Sequence, residues 1–101
     1  MKRRRRKMKI VWTDRAKRDV RNIRRYIASD SEVRAARFVE ELFDAIKVTI
    51  ENPMIGRVVP EFDNENVREV IYKNYRLIYR LGDDFIRVVM VIEGHKLLSA
   101  D

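Results

Sequence analysis

At 101 residues, 46% of them apolar, the chain holds enough hydrophobic material for one compact core and not for two. The absence of cysteine excludes disulfides, thiolate nucleophiles and cysteine-based zinc sites, and a lone histidine, His95, cannot by itself build a histidine-rich metal site. The net charge of +7 belongs to one end: Lys2, Arg3, Arg4, Arg5, Arg6, Lys7 and Lys9 supply seven of the 23 basic residues, and the remaining 16 face 16 Asp+Glu.

Residues 1–8 read as a basic tail, expected to be a disordered extension, with salt-sensitive attraction to nucleic-acid phosphate as its functional alternative. The tail lacks the apolar segment of a signal peptide. No apolar run approaches the roughly 20 residues that span a bilayer, so a cytoplasmic protein with no membrane partner is expected. Met8 offers an alternative start, because M-K-I-V-W reads as a first strand.

Lys9–Trp12 is that strand. Thr13 or Asp14 then caps a helix, since a side-chain oxygen there accepts first-turn N–H groups. Ala16, Val20, Ile23 and Ile27 form its apolar stripe. Its other face is basic: Arg15, Lys17, Arg18, Arg21, Arg24 and Arg25, against Asp14 and Asp19.

Ser29-Asp30-Ser31 interrupts the helix, with Ser29 and Glu32 fitting a capping box and Asp30 or Ser31 as alternative caps. A second helix carries Ala35/Ala36, Val39, Leu42/Phe43, Ile46 and Ile50, and Asn52-Pro53 stops it. So short a loop between amphipathic helices predicts an antiparallel helical hairpin.

Residues 53–66 read as an aperiodic connection, in which Gly56 supplies a positive-φ turn and Arg57 ties the loop to Glu61 or to the sheet. Three strands follow: Val67–Tyr72, Tyr75–Leu81 and Phe85–Ile92. Lys73-Asn74 is a two-residue hairpin turn with Asn74 taking the positive φ. The last strand is apolar on both faces except for Arg87, which places it centrally. The order β-α-α-β-β-β predicts an α+β domain over residues 9–98, a helical hairpin packed on an antiparallel sheet, with 99–101 as the C-terminal end.

The chemistry is defined first by what is missing. There is no phosphate-binding glycine loop, no paired-histidine motif and no nucleophile elbow, and the carboxylates show no acid/base spacing. The informative set is the sheet arginines. Period two puts Tyr75, Leu77, Tyr79 and Leu81 on one face, and Arg76, Ile78 and Arg80 on the other. Arg68, Val70 and Tyr72 share a face of the neighbouring strand, and Arg87 can join the arginines from the last one. Two readings stand. Glu61, Glu69, Asp83 or the acidic second helix neutralises these arginines, or they face an anionic partner that suits their guanidinium forks. Trp12, Tyr26 and Phe38 are expected in core or helix-hairpin packing.

The ordered set Trp12-Thr13, Ala16, Tyr26-Ile27, Ala35-Ala36, Phe38, Pro53, Gly56-Arg57, Pro60-Glu61, Arg68, Tyr75-Arg76 and Ile78-Tyr79-Arg80 resembles the RelE/ParE superfamily, ParE-like toxins above all. The resemblance implies the toxin of a type II toxin–antitoxin module, without metal or other cofactor. Its partners would be a ParD- or RelB-like antitoxin and, through the antitoxin, operator DNA. ParE-type members poison DNA gyrase by trapping cleaved DNA. RelE-type members cleave mRNA in the ribosomal A site, where basic residues stabilise the scissile phosphate.

On the RNase branch the resemblance would assign catalysis to Arg68, Arg76, His95 and Lys96. On the ParE branch Arg57, Arg68, Arg76, Arg80 and Arg87 would bind the target or another anion. Several positions depart from the RNase pattern. Val70 stands where another basic residue is usual, Glu93 stands at the last-strand position, His95 is out of register, and no tyrosine follows Tyr79. These departures favour the gyrase-poison branch. A degenerate toxin, working only inside an antitoxin-bound repressor complex, is the third expectation.

Overall fold

The computed structural model describes residues 8–94. Residues 1–7 of the basic tail, His95, Lys96 and the domain's last positions lie outside them. The elements are β1 (Lys9–Trp12), α1 (Asp14–Ala28), α2 (Glu32–Glu51), β2 (Arg57–Val58), β3 (Val67–Tyr72), β4 (Tyr75–Leu81) and β5 (Phe85–Glu93). They form an α+β fold with the helical hairpin on one side of a five-stranded sheet of order β1-β5-β4-β3-β2. β2 through β5 pair antiparallel, and β1 pairs parallel with β5. The parallel pair makes the sheet mixed. It follows from the helical hairpin, which carries the chain away after β1 and leaves β5 to return beside it. β5 therefore lies inside the sheet.

Local chemistry sets the helix ends. Thr13 is the cap of α1: its hydroxyl accepts the Ala16 N–H at 3.1 Å and donates to the Val89 carbonyl at 3.0 Å. One side chain thus starts the helix and ties it to β5. Ser31 caps the start of α2 by accepting the Arg34 N–H at 3.2 Å, whereas Ser29 is the C-cap of α1, its hydroxyl donating to Tyr26 O at 2.7 Å, and not the N-cap of α2. α2 ends at Glu51, ahead of Pro53.

The core lies between the hairpin and the sheet. Ala16, Val20, Phe38, Leu42 and Ile46 meet Leu77, Tyr79, Ile86, Val88 and Val91. Burying such side chains contributes about 1.5–3 kcal/mol each. Phe38 packs against Tyr72 and Tyr75 at ring separations of 5.4 and 5.3 Å, and Trp12 against Phe43 at 5.0 Å. The buried side of α2 is centred on Ala35, Phe38, Leu42, Ile46 and Thr49, with Ala36 exposed and Phe43 at the margin. Thr49 is tolerated there because its hydroxyl donates to Ile46 O at 2.6 Å.

Several local expectations are corrected. Tyr26 is 78% exposed and packs in no core, because it lies on the flank of α1 beyond the apolar stripe. The connection after α2 contains a two-residue strand, β2, paired with β3. In the β3–β4 turn the positive φ, 54°, belongs to Lys73 and not to Asn74. No glycine has a positive φ among the described residues. Gly56 is required for a different reason: a Cβ there would lie 2.6 Å from both the Glu69 carbonyl oxygen and the Tyr79 hydroxyl.

Candidate functional site

On the side of the sheet away from the helices the strands present Glu69, Arg76, Ile78, Arg80 and Arg87, partly roofed by the 59–66 loop. Cross-strand register sets their neighbours: Glu69 lies opposite Ile78, Ile71 opposite Arg76, and Arg80 opposite Arg87. Val59, Val67 and Ile78 make a small second core here, with Phe62, Val89, Met90 and Ile92 against it.

Arg76 is buried, with a side chain only 5% exposed. Its Nε donates to Glu69 Oε1 at 2.6 Å, and Nη1 and Nη2 donate to the two oxygens of Glu61, both at 2.9 Å. Arg57 donates to the second oxygen of Glu69. Glu69, fully buried, is thus shared by two guanidiniums. The carboxylates raise the Arg76 pKa above its already high value: the Glu61 hydrogen bonds act most strongly, burial opposes them, and Glu69 adds to them. The guanidinium holds its charge at every accessible pH, and the pair geometry is the bidentate kind that makes such bonds strong. Pro60-Glu61 serves to bring a carboxylate over the sheet.

Arg68 lies on the other side. Its partner across the ladder is Tyr79, which puts it with Val70 and Tyr72 on the helix-facing side and not among Arg76 and Arg80. The expected single face of arginines is therefore split in two, because β3 and β4 pair Arg68 with a core tyrosine. Arg68 Nη1 donates to Gly56 O at 2.9 Å and Met54 O at 3.3 Å, and Nε donates to Glu65 O at 2.9 Å. Beside it the Tyr79 hydroxyl accepts the Gly56 N–H at 3.0 Å and donates to Pro53 O at 2.8 Å. Burial raises the Tyr79 pKa, against the opposing Gly56 N–H and the Arg68 charge. Together these two side chains hold the turn after α2 against the sheet.

Arg80 and Arg87 are both exposed and stand directly opposite each other. Neither has an acidic partner among the described residues. Arg87 lies over the Phe85 ring, 4.9 Å from its centroid. Beside Arg80 runs an open groove of about 250 Å3 lined by Phe62, Asn64, Val67, Val89 and Met90. Like charges directly opposite on a sheet are unfavourable, so an anion placed there would relieve them.

Nothing local in the sequence points to the partner of the Tyr72 hydroxyl, which hydrogen-bonds to Glu41 of α2, 31 residues away, with Lys73 3.9 Å from the same carboxylate. Burial, with Glu41 adding to it, pushes the Tyr72 pKa up to about 12. Glu93 lies opposite Tyr75 at the end of β5, and Tyr75 also has a raised pKa, from burial first and then from Glu93. Among the described residues no group of three His, Cys, Asp or Glu is placed to hold a metal, and no helix is long and apolar enough to cross a membrane.

The family model described as the ParE toxin of type II toxin–antitoxin systems, parDE, matches residues 10–97. The chromosomal ParDE toxin–antitoxin system from P. aeruginosa contains a chain that superposes with a TM-score of 0.70 at 18% identity, over 85% of this chain and 95% of that one. The RelBE2 toxin–antitoxin complex from Mycobacterium tuberculosis gives a TM-score of 0.59 at 20% identity, over 86% and 98%. At these identities the likeness is one of fold. No curated protein sequence matches significantly.

Proposed function

The chain belongs to the ParE toxin family of type II toxin–antitoxin systems, and from that premise we propose that it arrests growth by binding DNA gyrase and trapping cleaved DNA, without catalysing a reaction itself. The observation that carries this reading is the state of Arg76 and Arg68. A metal-free RNase needs cations free to converge on a scissile phosphate. Arg76 is already saturated by Glu61 and Glu69, and Arg68, on the opposite side of the sheet, is spent on backbone carbonyls. Among the described sheet arginines, those left for a target are Arg80 and Arg87, whose open, partly apolar surroundings suit a protein surface carrying carboxylates.

The toxin is neutralised by a cognate antitoxin, ParD- or RelB-like, through which the pair would also reach operator DNA. For the antitoxin we assign the helix-hairpin groove and the free edge of β3, where Ile71 is 54% exposed beyond the two-residue β2.

The test is a cleavage assay with gyrase, supercoiled plasmid and the purified chain. Accumulation of linear, gyrase-linked DNA is expected. Unchanged plasmid at concentrations that arrest growth would overturn the proposal, and codon-phased mRNA cuts on ribosomes would then replace it.

A further inference from the structure

α1 carries more positive charge than the fold uses. At about 100° per residue, Lys17, Arg18, Arg21, Arg24 and Arg25 fall within an arc of about 120° and a length of about 12 Å. All five are exposed. Arg24 reaches Glu32 at 3.7 Å. Lys17, Arg18, Arg21 and Arg25 have no ion-pair partner among the described residues. Lys17–Arg21 and Arg21–Arg25 are like-charge i,i+4 neighbours, which weaken a helix. The arrangement is therefore not explained by helix stability.

The acids of α1 do little to neutralise this arc. Asp19 sits on the flank, where it pairs with Arg15 at 3.0 Å and accepts the Val91 N–H at 2.9 Å. Asp14 is confined to the first turn, where a carboxylate favours the helix dipole. The apolar stripe of Ala16, Val20, Ile23 and Ile27 points elsewhere, into the core.

From Asp14 to Arg25 no apolar residue falls on the basic arc. A peptide partner gains most of its affinity from buried anchors, and here it would find nothing apolar to bury. A phosphate backbone needs only charge and donors. Four of the five cations are arginines, whose forks match phosphate oxygens. Duplex DNA carries a charge about every 1.7 Å of axis, so a run of about 12 Å meets several phosphates.

We infer that the exposed face of α1 is a sequence-independent docking surface for the phosphate backbone of double-stranded DNA. The choice of DNA rests on the gyrase reading, which brings the toxin beside a DNA segment held by its target. α1 would then grip the DNA while the sheet side engages the enzyme.

The experiment uses the full chain, a short DNA duplex of arbitrary sequence and no gyrase, with affinity measured across a salt series. Arg18→Gln/Arg21→Gln/Arg25→Gln is expected to reduce the slope of log affinity against log salt by about 2.7, at about 0.9 for each phosphate no longer neutralised. Circular dichroism checks that the variant is folded, and Arg21→Gln alone provides a milder change of about 0.9. Arg18→Lys/Arg21→Lys/Arg25→Lys is expected to keep the slope. Replacing the six basic residues at 2–7 with Gln is expected to leave a residual slope that the α1 substitutions remove. A wild-type slope in the α1 glutamine variants, with all salt dependence lost on neutralising 2–7, would overturn the inference. That failure would leave the gyrase reading standing, because gyrase trapping is measured separately; absent trapping with intact α1 binding would do the reverse.

Discussion

Toward the helices, Leu77, Tyr79, Ile86 and Val88 pack with Phe38, Leu42 and Ile46, whereas the opposite side of the same strands presents Glu69, Arg76, Arg80 and Arg87. The first arrangement is held by apolar area removed from water, a term that is non-directional and tolerant of similar shapes. The second depends on matched charges. Where the match is complete, at Arg57–Glu69–Arg76–Glu61, Glu69 and Arg76 are buried and structural. Where it is absent, at Arg80–Arg87, the side chains are exposed and available. Two arginines of one strand, Arg76 and Arg80, thus differ in role because only Arg76 lies under Glu61 and beside Glu69.

The largest effect that could break this contrast is on the charged side. Arg76→Ala leaves the fully buried Glu69 with only the exposed Arg57 and removes the anchor of the Glu61 loop. A loss of about 3–5 kcal/mol, read by urea unfolding, is expected. A loss under about 1 kcal/mol would mean the cluster is solvated and the contrast false. On the helix side, Leu42→Ala should cost about 2–5 kcal/mol by the same measurement, because it opens a cavity in a fully buried position.

A smaller effect sharpens the boundary between helix and sheet. The fold raises the Tyr72 pKa from 10.0 to about 12, so the native state favours the neutral phenol. Its contribution is fully present below pH 10 and is lost as pH rises toward about 12. Tyr72→Phe should therefore lower the thermal midpoint near neutrality and make its decline between pH 10 and about 12 shallower. Some decline should remain, since Tyr75 and Tyr79 are raised too. Parallel alkaline profiles would show that Tyr72 ionises as freely in the fold as outside it. The smallest effect on stability belongs to Arg80→Gln/Arg87→Gln, expected within about 0.5 kcal/mol. The same variant should lose gyrase trapping, and a variant that traps as well as wild type would remove the sheet side from the target interface.

Much of the architecture is readable from local pattern. Helical spacing in Ala16–Ile27, the stop at Asn52-Pro53 and the alternation in β4 each depend on residues within a few positions of one another. The departures share a cause in distance along the chain. A strand's faces follow from its own period, but their relation to the next strand requires the register, and so Arg68 and Arg76 cannot be assigned to opposite sides from sequence. Gly56 has the local look of a turn residue, yet Tyr79, 23 positions away, makes it necessary. Glu61 and Glu69 can be named as partners of the arginines, but not which arginine each takes. Tyr26 is the exception: at about 100° per residue it falls about 90° from the centre of the Ala16, Val20, Ile23 and Ile27 stripe, so the helical spacing itself marks it as exposed.

The most direct measurement asks whether Arg76 works by charge or by filling space. Arg76→Met/Glu69→Leu/Glu61→Gln replaces the buried pair with apolar side chains of similar size and removes the charge of the other carboxylate that Arg76 holds, an exchange of the kind that is often neutral for stability. Once unfolding curves show the variant folded, it is tested for gyrase-linked plasmid cleavage. Trapping close to wild type is expected, since Arg80 and Arg87 are untouched. A folded variant that no longer traps gyrase or arrests growth would place Arg76 in the toxic chemistry and contradict the division between the two ends of the charged side.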